Sequence, residues 1–250
     1  MQKSATRELL QTRIVQSNGV IKLLKKAYPD AKIVLRYSNP WELLVAVILS
    51  AQCTDVMVNK VTEKLFTKYP TLDAYLKAPI NEFEKDIKST GFYHAKANNI
   101  LQTTILVKEK FKGAVPKTME EMLILKGVAR KTANVVLGNA YGVVEGIAVD
   151  THVLRLSQRL RLVNFKSIGG KKAVYFRRPA SRPGLEREVV DYKKDADPVK
   201  IEQELMQIIP KKDWFKLTYL LIDHGRAVCK AQNPDCAHCV LKNICPARRT

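Results

Sequence analysis

Four of the five cysteines in this 250-residue chain lie within "CKAQNPDCAHCVLKNIC". Their spacing is Cys229-x6-Cys236-x2-Cys239-x5-Cys245. Four thiolates on one short loop can surround a single metal centre. The spacing alone permits a four-thiolate zinc site or a [4Fe–4S] cluster. Zinc sites are mostly built from two close cysteine pairs, and here only Cys236 and Cys239 are close. A disulfide is the metal-free alternative, disfavoured in a reducing compartment. Cys53 lies far away, in an apolar run that reads as helical core.

A second group is "LKGVARKTANVVLGNAYGVVEGIAVDTHVLRL", Leu125 to Leu156. Gly127 allows a sharp turn between two helices. The second helix then opens with free N–H groups at Arg130, Lys131 and Thr132. With the helix dipole they form a sequence-independent seat for a DNA phosphate. An amine is nucleophilic only when neutral. A lysine working near pH 7 must have its value of about 10.4 lowered by roughly three units, about 4 kcal/mol. Desolvation in a cleft and the positive end of a helix both act in that direction. Lys131 is therefore either a nucleophile or a solvated phosphate contact. Asp150 comes nineteen residues later, before "THVLRL". It reads as a carboxylate facing the lysine, as a helix N-cap, or as both. His152 reads as a contact to the DNA backbone or as a structural histidine.

The bulk numbers narrow the partner. The formal net charge is +19 and 46% of residues are hydrophobic. That is enough for one large domain or two small ones, and the excess of basic residues calls for a polyanion, nucleic acid first. The longest apolar run, Leu43 to Ala51, is far short of the ~20 residues that span a bilayer. The N-terminus has no hydrophobic signal core. The expectation is a soluble, cytoplasmic, monomeric protein, associated with the nucleoid if prokaryotic.

The elements that must position these groups read as helical almost throughout. Asn39, Pro40 and Glu42 predict an N-cap, a first helical residue and a capping box. Leu43, Leu44, Val47, Ile48 and Ala51 follow at the helical period. Asp55 is expected to cap the next helix, which has Val58, Val61 and Leu65 inward and ends at Pro70. Short helices follow over 71–76 and 80–87. A long one over 94–111 places Ala97, Ile100, Leu101, Ile105 and Phe111 on one side. Thr118 and Glu121 form a second capping box. Asp197-Pro198 opens a helix to Pro210, and a last one runs over 213–222. No run reads as a strand. Residues 166–197 are rich in charge, glycine and proline, and are expected to form a basic insertion, read as an exposed, solvated loop with extra DNA contact or partner binding as the alternatives.

"LKGVARKTANVVL" followed by "VDTHVLRLSQRL" resembles the helix-hairpin-helix motif and aspartate of the endonuclease III family of DNA glycosylases. That family usually reads L-P-G-V-G in the hairpin. Here Lys126 replaces the proline and Ala129 the second glycine, which suits the turn if Ala129 keeps a negative φ. Family hairpins tend to hold a monovalent cation through backbone carbonyls, and the Ala129 departure bears on that. The resemblance implies that Lys131 attacks C1′ of a damaged nucleotide to give a Schiff base and β-elimination, and that Asp150 stabilises the developing positive charge and relays the proton. It implies that the cysteine loop carries [4Fe–4S] and holds Lys230, Lys242, Arg248 and Arg249 against phosphate. "LSAQCTD" and "TGFYHAK" resemble the two loops that enter DNA when a base is flipped. Gln52 would fill the vacated space, and Phe92 would wedge against the orphaned partner.

The likeness covers Ile21 to Phe165 and Pro198 to Pro246. It implies an all-α, two-lobed fold with a DNA cleft. One lobe is 32–143 with Lys131. The other is 1–31 with 144–250, carrying Asp150 and the cluster. The implied activity is a bifunctional glycosylase and abasic-site lyase that removes oxidised pyrimidines from duplex DNA. The alternatives are a monofunctional adenine-type glycosylase and a non-catalytic iron–sulfur DNA-binding module.

Overall fold

The protein is described here by a computed structural model covering residues 2–178 and 187–249. In chain order the described elements are α1 (Gln2–Ala27), α2 (Pro40–Leu49), α3 (Asp55–Lys68), α4 (Leu72–Leu76), α5 (Ile80–Ile87), a 3₁₀ turn (Lys88–Thr90), α6 (Tyr93–Lys110), α7 (Met119–Met122), α8 (Arg130–Tyr141), α9 (Thr151–Arg159), β1 (Ala173–Arg178), β2 (Arg187–Lys193), α10 (Pro198–Ile208) and α11 (Lys211–Ala227). They divide into two compact units, one continuous (Ile33–Glu145) and one discontinuous (Met1–Lys32 with Gly146–Thr250).

The continuous unit is built around α2. Every residue from Leu43 to Leu49 is buried, so this helix is apolar all round and forms the centre of its unit. It packs on α8, α3 and α6. Asn39 caps it by accepting from the Glu42 N–H at 3.0 Å. The Glu42 carboxylate reaches back to the Ser38 N–H at 2.6 Å. Ala51, expected inward, is exposed because the helix has ended before it. α3 is capped by Thr54, whose hydroxyl accepts from the Met57 N–H, not by Asp55, which is the first helical residue. On α6 the inward face is Lys96, Ala97, Ile100, Thr103, Thr104 and Val107. Ile105 lies outside it and is exposed. Starting at Tyr93 instead of His94 does not change the period. The true stripe runs through 96, 100, 103 and 107, and a lysine disguises its first position.

In the discontinuous unit α1 packs on α10 and α11, and α9 lies on α11. Val20, Leu24, Val153, Leu156, Leu217, Leu220 and Leu221 form its core. The Asp197 side chain caps α10 at the Val199 N–H, 2.9 Å away. α11 starts and ends beyond the expected 213–222, continuing to Ala227.

The expectation that no strand exists, and that 166–197 is a solvated loop, is corrected. β1 and β2 form an antiparallel hairpin, paired from Ala173↔Lys193 to Arg178↔Arg187. Residues 179–186, part of the same basic segment, lie outside the described residues. Alternation failed as a signal because the register shifts between Val174 and Tyr175. These pair with Tyr192 and Val190, leaving Asp191 as the extra residue of a bulge. The bulge lets two consecutive residues, Asp191 and Tyr192, both be buried.

Candidate active site

Seven residues, 123–129, join the two helices of the hairpin before Lys131. α7 is a single turn ending at Met122. Gly127 sits at φ +74, and a Cβ there would lie 2.9 Å from Asn99 Nδ2 and 3.0 Å from Asn99 Cβ. Both the turn and the close approach to α6 therefore require glycine. Thr103 on α6 donates its hydroxyl to the Lys126 carbonyl at 3.0 Å, tying the turn to the same helix. Ala129 is extended, with φ −95 and ψ 172. Replacement of the family's second glycine is therefore unstrained. No side-chain hydrogen bond from Ala129 caps α8, whose N-terminus carries the positive end of the helix dipole. Arg130 and Lys131 occupy that first turn, and both are half-buried.

Asp150 is the N-cap of α9. Its Oδ1 accepts from the Val153 N–H at 2.8 Å, and the residue is half-buried. The cap orients the carboxylate through Oδ1, leaving Oδ2 outside that bond. His152 packs on α11. Its Nδ1 meets Arg155 Nη2 at 3.2 Å, and a Cβ added at Gly225 would lie 2.5 Å from that nitrogen. Gly225 is thus the glycine that admits His152, and the packing role of this histidine is visible.

Gln52 and Phe92 share an unusual backbone. Both are exposed and both have left-handed φ, +54 and +49. For a residue with a side chain this costs about 1–3 kcal/mol. Gln52 follows α2, and Phe92 is the N-cap of α6 after Gly91 at φ +69. Lys96, a residue type rarely buried, connects the two turns. It is 4% exposed, and its Nζ donates to the Leu49 carbonyl and the Thr90 carbonyl, each at 2.8 Å. Burial pushes its ammonium below the usual lysine range. Its signal was available, since Lys96 stands one turn before Ile100 on the buried face. Cys53 belongs to the same turn as Gln52. It is half-buried and follows the helix, so it is not the helical core residue expected.

Cys229, Cys236, Cys239 and Cys245 are all free thiols and line one cavity with Arg159, Leu160, His224 and Leu241. Among the described residues no three His, Cys, Asp or Glu side chains are grouped as for one metal ion. Burial pushes the Cys239 thiol up and the Cys245 thiol up to about 12. It also pushes His224 down to about 4, so that this imidazole, 3.5 Å from Cys239 Sγ, is neutral. Arg159 Nη1 donates to Cys229 Sγ at 3.3 Å and to the Lys230 carbonyl at 2.7 Å. Of the basic residues expected to meet phosphate, Arg249 is instead ion-paired to Asp191 at 2.7 Å. The pair forms because the β-hairpin brings a buried carboxylate to the end of the chain.

Residues 45–175 match the model of the HhH-GPD superfamily base excision DNA repair proteins. The endonuclease III of Synechocystis is 45% identical over 232 residues, covering 93% of this chain and 92% of that protein. Two solved structures are similar at TM-score 0.79 and 40% identity over 94% of this chain. One is a non-covalent endonuclease III–DNA complex, of which 95% is covered. The other is a trapped endonuclease III–DNA covalent intermediate, of which 96% is covered. Among the described residues no helix is long and apolar enough to cross a membrane.

Proposed function

The chain belongs to the endonuclease III family of the HhH-GPD superfamily, and from that premise we propose that Lys131 and Asp150 carry its glycosylase and abasic-site lyase chemistry. The activity is base excision on duplex DNA. The residue assignment rests above all on one observation: Lys131 stands in the first turn of α8, directly after a glycine turn.

Neutral Lys131 Nζ gives its electron pair to C1′ of an extruded nucleotide as the N-glycosidic bond breaks. The base leaves with the bonding pair and is protonated. The amine gives up one proton, the ring oxygen O4′ takes one as the C1′–O4′ bond breaks, and a protonated Schiff base remains. Removal of a 2′ proton then expels the 3′ phosphate and cleaves the strand. Asp150 stabilises the positive charge that develops on the sugar and accepts the proton from the amine. Its cap bond to Val153 leaves the second carboxylate oxygen for this work. Arg130 and the N–H groups around Gly127 and Ala129 hold a backbone phosphate.

Gln52 and Phe92 enter the duplex, Gln52 in the place of the flipped nucleotide and Phe92 against its former partner. Exposed side chains on strained backbone fit this role, because such strain concentrates where function requires it. His152 acts through packing on Gly225 and only secondarily at the DNA backbone. Oxidised pyrimidines are the lesions that the family resemblance implies.

The four thiols fit a [4Fe–4S] cluster better than zinc. All four line one cavity, and their x6-x2-x5 spacing, with only one close pair, suits one thiolate for each of four irons. When bound, the cluster supplies a rigid cross-link to the loop and no electron to base removal.

Borohydride trapping on a duplex with one oxidised pyrimidine tests the assignment. Wild type gives a covalent protein–DNA adduct, and Lys131→Ala gives none. Asp150→Asn slows base release while lesion affinity changes little. A trapped adduct with Lys131→Ala would remove the lysine from the chemistry. Base release without trapping in wild type would favour the monofunctional reading.

A further inference from the structure

The basic insertion has no part in the chemistry above, yet it places one carboxylate at zero exposure. Asp191, the bulge residue of β2, is 0% exposed. It accepts from Arg159 Nε at 2.9 Å and Nη2 at 2.7 Å, and from Arg249 Nη2 at 2.7 Å. A buried carboxylate would be costly alone, and here two guanidinium groups answer it. Arg159 is held on its other edge by the cysteine loop, at the Cys229 thiol and the carbonyls of Lys230 and Ala231. Its guanidinium is thus a bridge with one end in the hairpin and the other on a thiol. Aromatic rings close the contact. Tyr192 faces Arg159 and Phe176 faces Arg249, with guanidinium carbons 5.4 and 5.2 Å from the ring centres. Gln158 fixes β2 further by accepting from the Lys193 N–H and donating to its carbonyl.

We propose that the hairpin is a brace for the cysteine loop, in which Asp191 positions Arg159 against Cys229 and so governs how firmly the iron–sulfur cluster is held. The inference rests on the cluster reading above. The bulge is the device that makes it work. Regular alternation would turn Asp191 away whenever Tyr192 is buried, and the extra residue turns both inward. Arg159 suits the task because a planar fork can meet a carboxylate with two donors while its remaining N–H groups serve the loop.

The test uses the purified holoenzyme. Iron and sulfide content are measured, and loss of the visible sulfur-to-iron absorbance is timed under an iron chelator for wild type, Asp191→Asn and Tyr175→Ser. Tyr175 lies on the same hairpin but is exposed, and its variant reports general effects of altering the insertion. The brace predicts release about tenfold faster for Asp191→Asn, equivalent to about 1.4 kcal/mol. It also predicts a displaced charge-transfer band, because hydrogen bonding to the Cys229 sulfur changes. Loose folding alone would lower the band without moving it. Tyr175→Ser matches wild type. If Asp191→Asn does not accumulate, Arg249→Gln removes the more exposed half of the pair and should accelerate release about threefold, on the same scale. Iron-loaded wild type with an unchanged release rate and band in the folded variant overturns the brace alone. Wild type purified from iron-replete cells without iron overturns the cluster reading and the brace with it.

Discussion

Replacing Lys96 by methionine probes the connection between the two turns proposed to enter DNA. The change keeps the length of the side chain and removes only its ammonium. The carbonyls of Leu49 and Thr90 each lose a donor at 2.8 Å within a site 4% exposed. A buried acceptor left unsatisfied costs about 1–3 kcal/mol, so the pair costs about 2–6. Against this, the ammonium no longer has to be desolvated, a burden evident in its lowered pKa. The net expectation is a loss of about 2–3 kcal/mol, at the low end of that range.

The sign of the pH dependence follows from the same shift. Lys96 has a folded pKa below its unfolded value of about 10.4, so between the two the unfolded chain binds more protons. Its stabilising contribution is complete above the unfolded value and is lost as pH falls through the folded one. The advantage of wild type over Lys96→Met therefore widens as pH rises across that window. Urea unfolding at several pH values measures it, with the slope m unchanged. Base release on a lesion duplex, assayed where both proteins are folded, should fall because Gln52 and Phe92 are no longer held in register. A stability change below about 0.5 kcal/mol would refute the buried-bridge argument. Lost stability with undiminished base release would refute its link to the turns.

Two further substitutions test glycines that the packing demands. Gly127→Ala forces a methyl group into left-handed backbone and against Asn99. It should cost about 2–4 kcal/mol by equilibrium unfolding, about 1–2 of it conformational. Asn99→Ala in the same chain should restore part of the steric share and none of the conformational share. Gly225→Ala places a methyl group 2.5 Å from His152 Nδ1. It should destabilise by about 1–3 kcal/mol, measured by urea unfolding, and His152→Ala should relieve most of this in a double-mutant cycle.

Short-range chemistry was legible from the chain. The caps at Asn39, Thr118, Asp150 and Asp197 form as their residue types require. The cap of α3 lies one residue before the one expected, since Thr54 and Asp55 are both good capping types and Thr54 is the extended residue that caps. Apolar periodicity alone puts Ile105 inward, because the true stripe begins with Lys96, an inward residue of a type usually found outside. The β-hairpin is not legible in the sequence because its bulge breaks the alternation that identifies a strand, and because charged residues surround it. The same basic composition that suggested solvent conceals a carboxylate with no exposure at all.

By itself the sequence determined the helical class, the glycine turn before Lys131, the cap at Asp150, the four-thiol loop and the excess positive charge. Each follows from neighbours within a few residues or from composition. Tertiary structure alone decided that Lys96 joins two turns forty-one positions apart on Leu49 and Thr90, that Gly225 makes room for His152, and that Asp191 joins Arg159 and Arg249. Those contacts depend on where a buried polar group finds its partner, and the partner is distant along the chain. Burial makes such pairs obligatory, but no local pattern states which two residues will meet.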